Sequence, residues 1–175
     1  MAAAAITPTL DEALAYAAEG YPRVPVAREI LSDTVTPITV MRKLKNVSDH
    51  CYLLESAADS AQWGRYSFLG YDPTLEITCL NGQMKVGALT FRTDYPGTYL
   101  RQILAEYRTP KVPGMPSFTG GLVGYFSYDY LKYAEPSLRL DAQDTEGFKD
   151  VDLMLFDKVI AFDNFKQKII LVVNA

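Results

Sequence analysis

The side chains whose types and spacing suggest chemistry favour holding a small molecule over transforming one. Leu53-Leu54-Glu55-Ser56 closes an apolar, strand-like run. A two-residue period sends Leu54 and Ser56 to one face and Leu53 and Glu55 to the other. A carboxylate and a hydroxyl at the end of such a strand can hold the ammonium and carboxylate groups of an amino acid. Equally, Ser56 can cap the strand while Glu55 pairs with nearby Arg65. Trp63-Gly64-Arg65-Tyr66-Ser67-Phe68-Leu69-Gly70 brings the only tryptophan beside Arg65, Tyr66 and Ser67. The cluster reads as a pocket for an aromatic ligand, with Tyr66 as a wall and Arg65 meeting a charge, or as an ordinary aromatic core strand. Gly120-Gly121-Leu122-Val123-Gly124 fits neither nucleotide-loop pattern, because its first two glycines are adjacent and no Gly-Lys-Ser/Thr follows. It reads as close backbone packing or a bulge in a buried strand. The tyrosine-rich stretch from Tyr125 to Tyr133 could stack on nucleic acid, but Asp129 and Glu135 beside it weigh against that.

Scarcity excludes other chemistries. With one histidine, His50, and two cysteines, Cys51 and Cys79, the chain falls short of the four ligands of a common structural zinc site. A Ser-His-Asp triad would have to run through His50, just before an apolar run. The cysteines do not form a C-x-x-C pair and read as reduced cytosolic thiols. Seventeen Lys and Arg against twenty-one Asp and Glu give a net charge of −4, which argues against a nucleic-acid or anionic-membrane surface. At 175 residues, 49% hydrophobic and 22% charged, the composition is that of a globular domain with a real core. No stretch approaches the roughly 20 apolar residues of a membrane span, and the start lacks the pattern of a signal peptide. The setting expected is cytoplasmic.

These residues must be positioned by elements that local signals mark. Thr9-x-x-Glu12 has capping-box spacing, Leu10, Ala13, Leu14 and Ala17 form an apolar stripe, and Gly20 stands at the stop. Val24 to Leu31 reads as an edge strand, where Pro25 is tolerable. Thr36-Pro37 starts a second helix. Cys51 to Ser56, Tyr66 to Tyr71 and Leu75 to Leu80 read as strands, and Asn81-Gly82 turns the last of these into a hairpin with Gln83–Val86. Leu89 to Arg92 adds a short piece, and Tyr99, Leu100, Ile103, Leu104 and Tyr107 make a third helical stripe. Asp152 to Phe162 and Lys168 to Val173 read as two long strands joined around Asp163-Asn164. Their apolar character suggests burial on both faces, a seam to further protein, and self-association of the chain cut off there. Hairpins and non-alternating helices favour an α+β fold of largely antiparallel sheets with helices on the outer faces. Residues 1–8 read as a flexible N-terminus, either native or appended, and 9–175 as one domain, part of a longer protein.

Thr36-Pro-Ile-Thr39, Leu53–Ser56, Trp63–Gly70 and Gly120–Asp129, in that order, strongly resemble the amino-terminal part of the anthranilate synthase component I family from about Thr9 onward. The resemblance implies an enzyme that turns chorismate into anthranilate and pyruvate, with ammonia from a glutamine amidotransferase partner and feedback inhibition by L-tryptophan. In that family the chorismate- and magnesium-binding residues lie in a carboxy-terminal half outside these 175 residues. The resemblance therefore implies no catalytic residue, metal or cofactor in this chain, Mg2+ in that other half, and no activity for this chain alone. Leu-Leu-Glu-Ser followed by ten residues and a second serine maps onto Leu53–Ser56 and Ser67. It implies Leu54, Glu55, Ser56, Tyr66 and Ser67 as tryptophan contacts. The sister family, aminodeoxychorismate synthase component I, and a stand-alone amino-acid-binding domain are the alternatives.

Overall fold

The computed structural model describes residues 5–55, 64–135, 137–138 and 145–175. In chain order they form β1 (Ile6–Thr7), α1 (Leu10–Ala18), β2 (Pro25–Leu31), α2 (Pro37–Leu44) and β3 (Cys51–Leu54). Then come β4 (Tyr66–Tyr71), β5 (Leu75–Leu80), β6 (Gln83–Val86), β7 (Leu89–Arg92), α3 (Pro96–Glu106) and β8 (Gly121–Phe126). A 3₁₀ helix (Tyr128–Tyr133), β9 (Val151–Phe156), β10 (Lys158–Asp163) and β11 (Lys168–Asn174) complete the order. Two antiparallel sheets with few helices make the fold α+β, as the hairpin signals implied. The chain divides into two compact units, Met1–Pro73 with Tyr107–Gly121 and Phe156–Ala175, and Thr74–Glu106 with Leu122–Leu155.

Local signals act as expected. The Thr9 hydroxyl accepts from the Glu12 amide at 3.3 Å, and the Glu12 carboxylate accepts from the Thr9 amide at 2.8 Å. Thr36 accepts from the Thr39 amide at 3.2 Å, with Pro37 as the first helical residue. Asn81 (φ +49°) and Gly82 (φ +77°) both take the left-handed conformation that a two-residue hairpin turn requires. The stripe on α1 is another matter. Leu10 and Leu14 stay exposed and α1 buries no residue, so here the amphipathic pattern marks a helix but no packed face.

The first unit holds a six-stranded sheet in the order β1-β2-β11-β10-β4-β3. β2 is not the edge strand its proline suggested, because the two-residue β1 pairs outside it at Ala27 and Arg28. Val24 exchanges both backbone hydrogen bonds with Ala175, so Pro25 turns its nitrogen away from β11, beyond the reach of β1. The missing N–H costs nothing there. β11 lies between β2 and β10 and both its edges are paired, so it is not the open seam expected. Its apolar run is long because Ile169 packs on one face, with Leu44 of α2, and Ile170 and Val172 on the other, with Met115 and Phe118. Leu171 and Val173 remain 37% and 49% exposed, so the surplus apolar surface lies on a sheet face instead of an edge. The expected long strand Asp152–Phe162 is likewise two strands in two sheets, broken at Asp157. Both halves are buried and apolar, and hydropathy alone does not mark the point where a chain changes sheets.

The second unit holds a five-stranded sheet in the order β7-β6-β5-β9-β8. Gly124 (φ +152°) lets β8 lie against β9, since a Cβ there would fall 2.0 Å from the Asp152 carbonyl oxygen. The close-packing reading of the glycine run holds at this position. Phe91 of β7 meets Tyr99 of α3 with ring centres 4.6 Å apart. Asp150, fully buried, accepts from the Asn81 amide, the Tyr133 hydroxyl and Lys132 Nζ, each at 2.7 Å. Tyr133 in turn accepts from the Gly82 amide at 2.7 Å. Burial, followed by the bond to Asp150, pushes the Tyr133 hydroxyl pKa above its ordinary value. The network ties the 3₁₀ helix to the β5–β6 turn.

Candidate functional site

Leu54 ends β3 opposite Phe68 of β4, and paired residues share a sheet face. Two residues back along β4, Tyr66 occupies the same face. Its ring stacks on Phe68 at 5.6 Å and 29°, and Phe68 meets Phe118 edge-on at 5.7 Å. Leu54 keeps 47% of its surface open beside this aromatic row. Tyr52 adds a further ring, edge-on to Phe156 at 4.7 Å, and burial pushes its hydroxyl pKa up. Gly70 makes room for it, since a Cβ there would lie 2.1 Å from the Tyr52 ring. The segment Thr109–Gly120, which brings Met115 and Phe118 onto this face, also encloses a cavity of about 530 Å³.

The expected contacts do not all converge. Leu54 and Tyr66 come together, and Glu55 follows directly as an exposed residue. Ser67 alternates to the opposite face, is buried, and its hydroxyl accepts from Asn164 Nδ2 at 3.3 Å. Ser56 and Trp63 lie outside the described residues. The expected Glu55–Arg65 pairing gives way to another, because a better-placed carboxylate is available. Arg65 reaches Asp163 with Nε at 3.1 and 3.2 Å and with Nη2 at 2.6 Å.

Asp163 is the residue that sequence reasoning missed. It ends β10 opposite Tyr66 on one side and Lys168 on the other, so it belongs to the face of the aromatic row. Its side chain is 1% exposed, and Oδ1 also accepts the Phe165 and Lys166 amides at 3.2 and 3.0 Å. Burial by itself raises its carboxyl pKa, but the bonds from Arg65 and from these amides outweigh that and hold it below the ordinary value. The same bond to Asp163 raises the Arg65 pKa, and the guanidinium lies 4.8 Å over the Tyr66 ring centre. Burial, then the Asp163 charge, raises the Tyr66 hydroxyl. Asn164 completes the clamp, its amide donating to the Arg65 carbonyl at 2.8 Å. Lys168 and Glu29 form a further ion pair on this face. The corner thus joins an apolar aromatic floor to a rim carrying both charge signs. That suits a small zwitterion with an aromatic body. Among the described residues no three His, Cys, Asp or Glu side chains gather to hold a metal ion, and no helix is long and apolar enough to cross a membrane.

No family model matches the sequence. Curated relatives do. Anthranilate synthase component 1 of Pseudomonas aeruginosa is 39% identical over 171 residues, covering 94% of this chain and 35% of that protein. The Acinetobacter calcoaceticus protein of the same name is 38% identical over 165 residues, covering 89% and 33%. That of Acetivibrio thermocellus is 32% identical over 171 residues, covering 95% and 34%. Among solved structures, anthranilate synthase component I from Streptococcus pneumoniae TIGR4 superimposes with a TM-score of 0.55 at 27% identity, over 83% of this chain and 31% of that one. The chain spans about a third of the length of the curated relatives it matches. In sequence and in fold the chain is similar, over nearly all of its own length, to that third of anthranilate synthase component I.

Proposed function

We propose that this chain is the regulatory part of an anthranilate synthase component I and binds L-tryptophan as a feedback inhibitor. Leu54 and Tyr66 flank the indole and Glu55 meets the ammonium. Ser56 supplies a hydrogen bond to a charged group of the ligand. Ser67 contributes from the opposite face, holding β4 to the turn at Asn164. The observation that carries this reading is the shared face of Leu54 and Tyr66, an apolar floor beside the charged Arg65–Asp163 rim. In the whole protein the reaction is conversion of chorismate to anthranilate and pyruvate in tryptophan biosynthesis, in the cytoplasm. A glutamine amidotransferase subunit supplies ammonia, and Mg2+ is bound outside this chain. Tryptophan inhibits by preferring the inactive state, so losing its contacts removes the bias without touching the chemistry.

Calorimetric titration with L-tryptophan tests the reading on wild-type chain and on Ser56→Ala. A hydrogen bond to a charged group corresponds to a roughly 10- to 150-fold loss of affinity, with little change in melting temperature. A wild-type protein that is folded yet takes up no tryptophan would sink the reading. Equal affinities in two well-folded samples would remove Ser56 from it.

A further inference from the structure

Arg65 has more donors than Asp163 uses. A guanidinium offers five N–H groups in a rigid fork, and Asp163 engages only Nε and Nη2. Nη1 has no acceptor among the described residues, and the side chain is 33% open to water. The group does not swing freely, because Asp163 fixes it from one side and the Tyr66 ring lies beneath it at 4.8 Å. Asp163 is itself fixed by the Phe165 and Lys166 amides, which take up part of its charge. A cation so oriented, with unused donors directed away from its partner, can accept a second carboxylate at little entropic cost.

We propose that Arg65 is the carboxylate anchor of the candidate site, with Asp163 as its positioning residue, selecting an aromatic amino acid over the corresponding amine. The assignment rests on the effector reading above and adds to it the group that recognises the acid end of the ligand. Glu55, not engaged by Arg65, is left for the ammonium. The site then reads the ligand at three points, the acid at Arg65, the amine at Glu55 and the ring between Leu54 and Tyr66.

The experiment compares L-tryptophan with tryptamine, which keeps the indole and ammonium but lacks the carboxylate. Both are titrated calorimetrically into wild-type chain, Arg65→Gln, Arg65→Lys and the double variant Arg65→Gln/Asp163→Asn, which leaves no buried charge unpaired. Melting temperatures confirm folding. Wild-type protein should prefer tryptophan roughly 10- to 100-fold. Arg65→Gln and the double variant should lose most of that preference with tryptamine affinity unchanged, and Arg65→Lys should recover part of it. A merely structural Arg65 would weaken both ligands together, and that result overturns the anchor. So does a preference that survives in the variants, which leaves the effector reading standing. Absence of tryptophan binding in the wild type overturns both.

Discussion

Asp163 keeps its charge under Arg65, and its titration sets the acid limit of that corner. Its folded pKa is lower than the unfolded carboxyl value of about 3.9, so the unfolded chain takes up the proton first as pH falls. The stability it contributes is therefore fully present above about pH 5 and is lost as pH drops through the lowered folded value. Asp163→Asn should cost about 2–3 kcal/mol at pH 7, the lower end for a buried pair because Arg65 is partly open to water. The gap should narrow as the pH is lowered to about 2. Urea melts of both proteins at the two pH values check this, and an equal gap at both would refute it. The sequence showed one side of this pair only. Arg65 stands out beside Trp63 and Tyr66, whereas Asp163-Asn164 reads simply as a turn between two apolar runs. They are 98 residues apart, and no local pattern links them. Leu54 and Tyr66 were legible as partners because strand alternation fixes their faces. The same alternation puts Ser67 on the opposite face, which motif spacing alone does not reveal.

At the scale of elements, what was legible is what is local. Thr9, Thr36 and Asn81-Gly82 act within a few residues of themselves, so their signals survive folding unchanged. The break at Asp157 is not local, since it depends on which sheet each half of one apolar run joins. Two glycines separate the effects of backbone conformation and of crowding. Gly114 (φ +83°) has nothing within 4 Å of a built Cβ, whereas at Gly124 the Cβ would meet Asp152 at 2.0 Å. Gly114→Ala should cost about 1 kcal/mol, from φ alone. Gly124→Ala should cost about 3 kcal/mol or more, because β8 must move off β9. Equal losses in denaturant melts would show that the close approach carries no weight. Tyr133→Phe removes the hydroxyl shared by Asp150 and the Gly82 amide and should cost about 1–2 kcal/mol. An unchanged midpoint would mean that this link adds nothing to the β5–β6 turn.

For the whole molecule, purified chain given chorismate, ammonia and Mg2+ should form no anthranilate, and its fluorescence is a direct readout. Appearance of the product would place a catalytic centre within these 175 residues. Sedimentation at rising concentration should show reversible association through the exposed Leu171 and Val173 face, weakened by Val173→Lys; a clean monomer throughout would contradict it. The pairing of β2 with β11 also has a consequence for how the chain is made. β2 ends at Leu31, and the strand that fills its inner edge begins at Lys168. At roughly 5–20 residues per second a ribosome needs on the order of ten seconds to cross that interval. During it, the whole of Thr74–Glu106 and Leu122–Leu155 emerges and can close its own sheet, while β2 waits with that edge unfilled. Nascent chains stalled once Leu155 has cleared the ribosomal exit tunnel should therefore resist protease in β5, β6 and β9 and be cut within Pro25–Leu31. Chains released after Ala175 should be protected in both places.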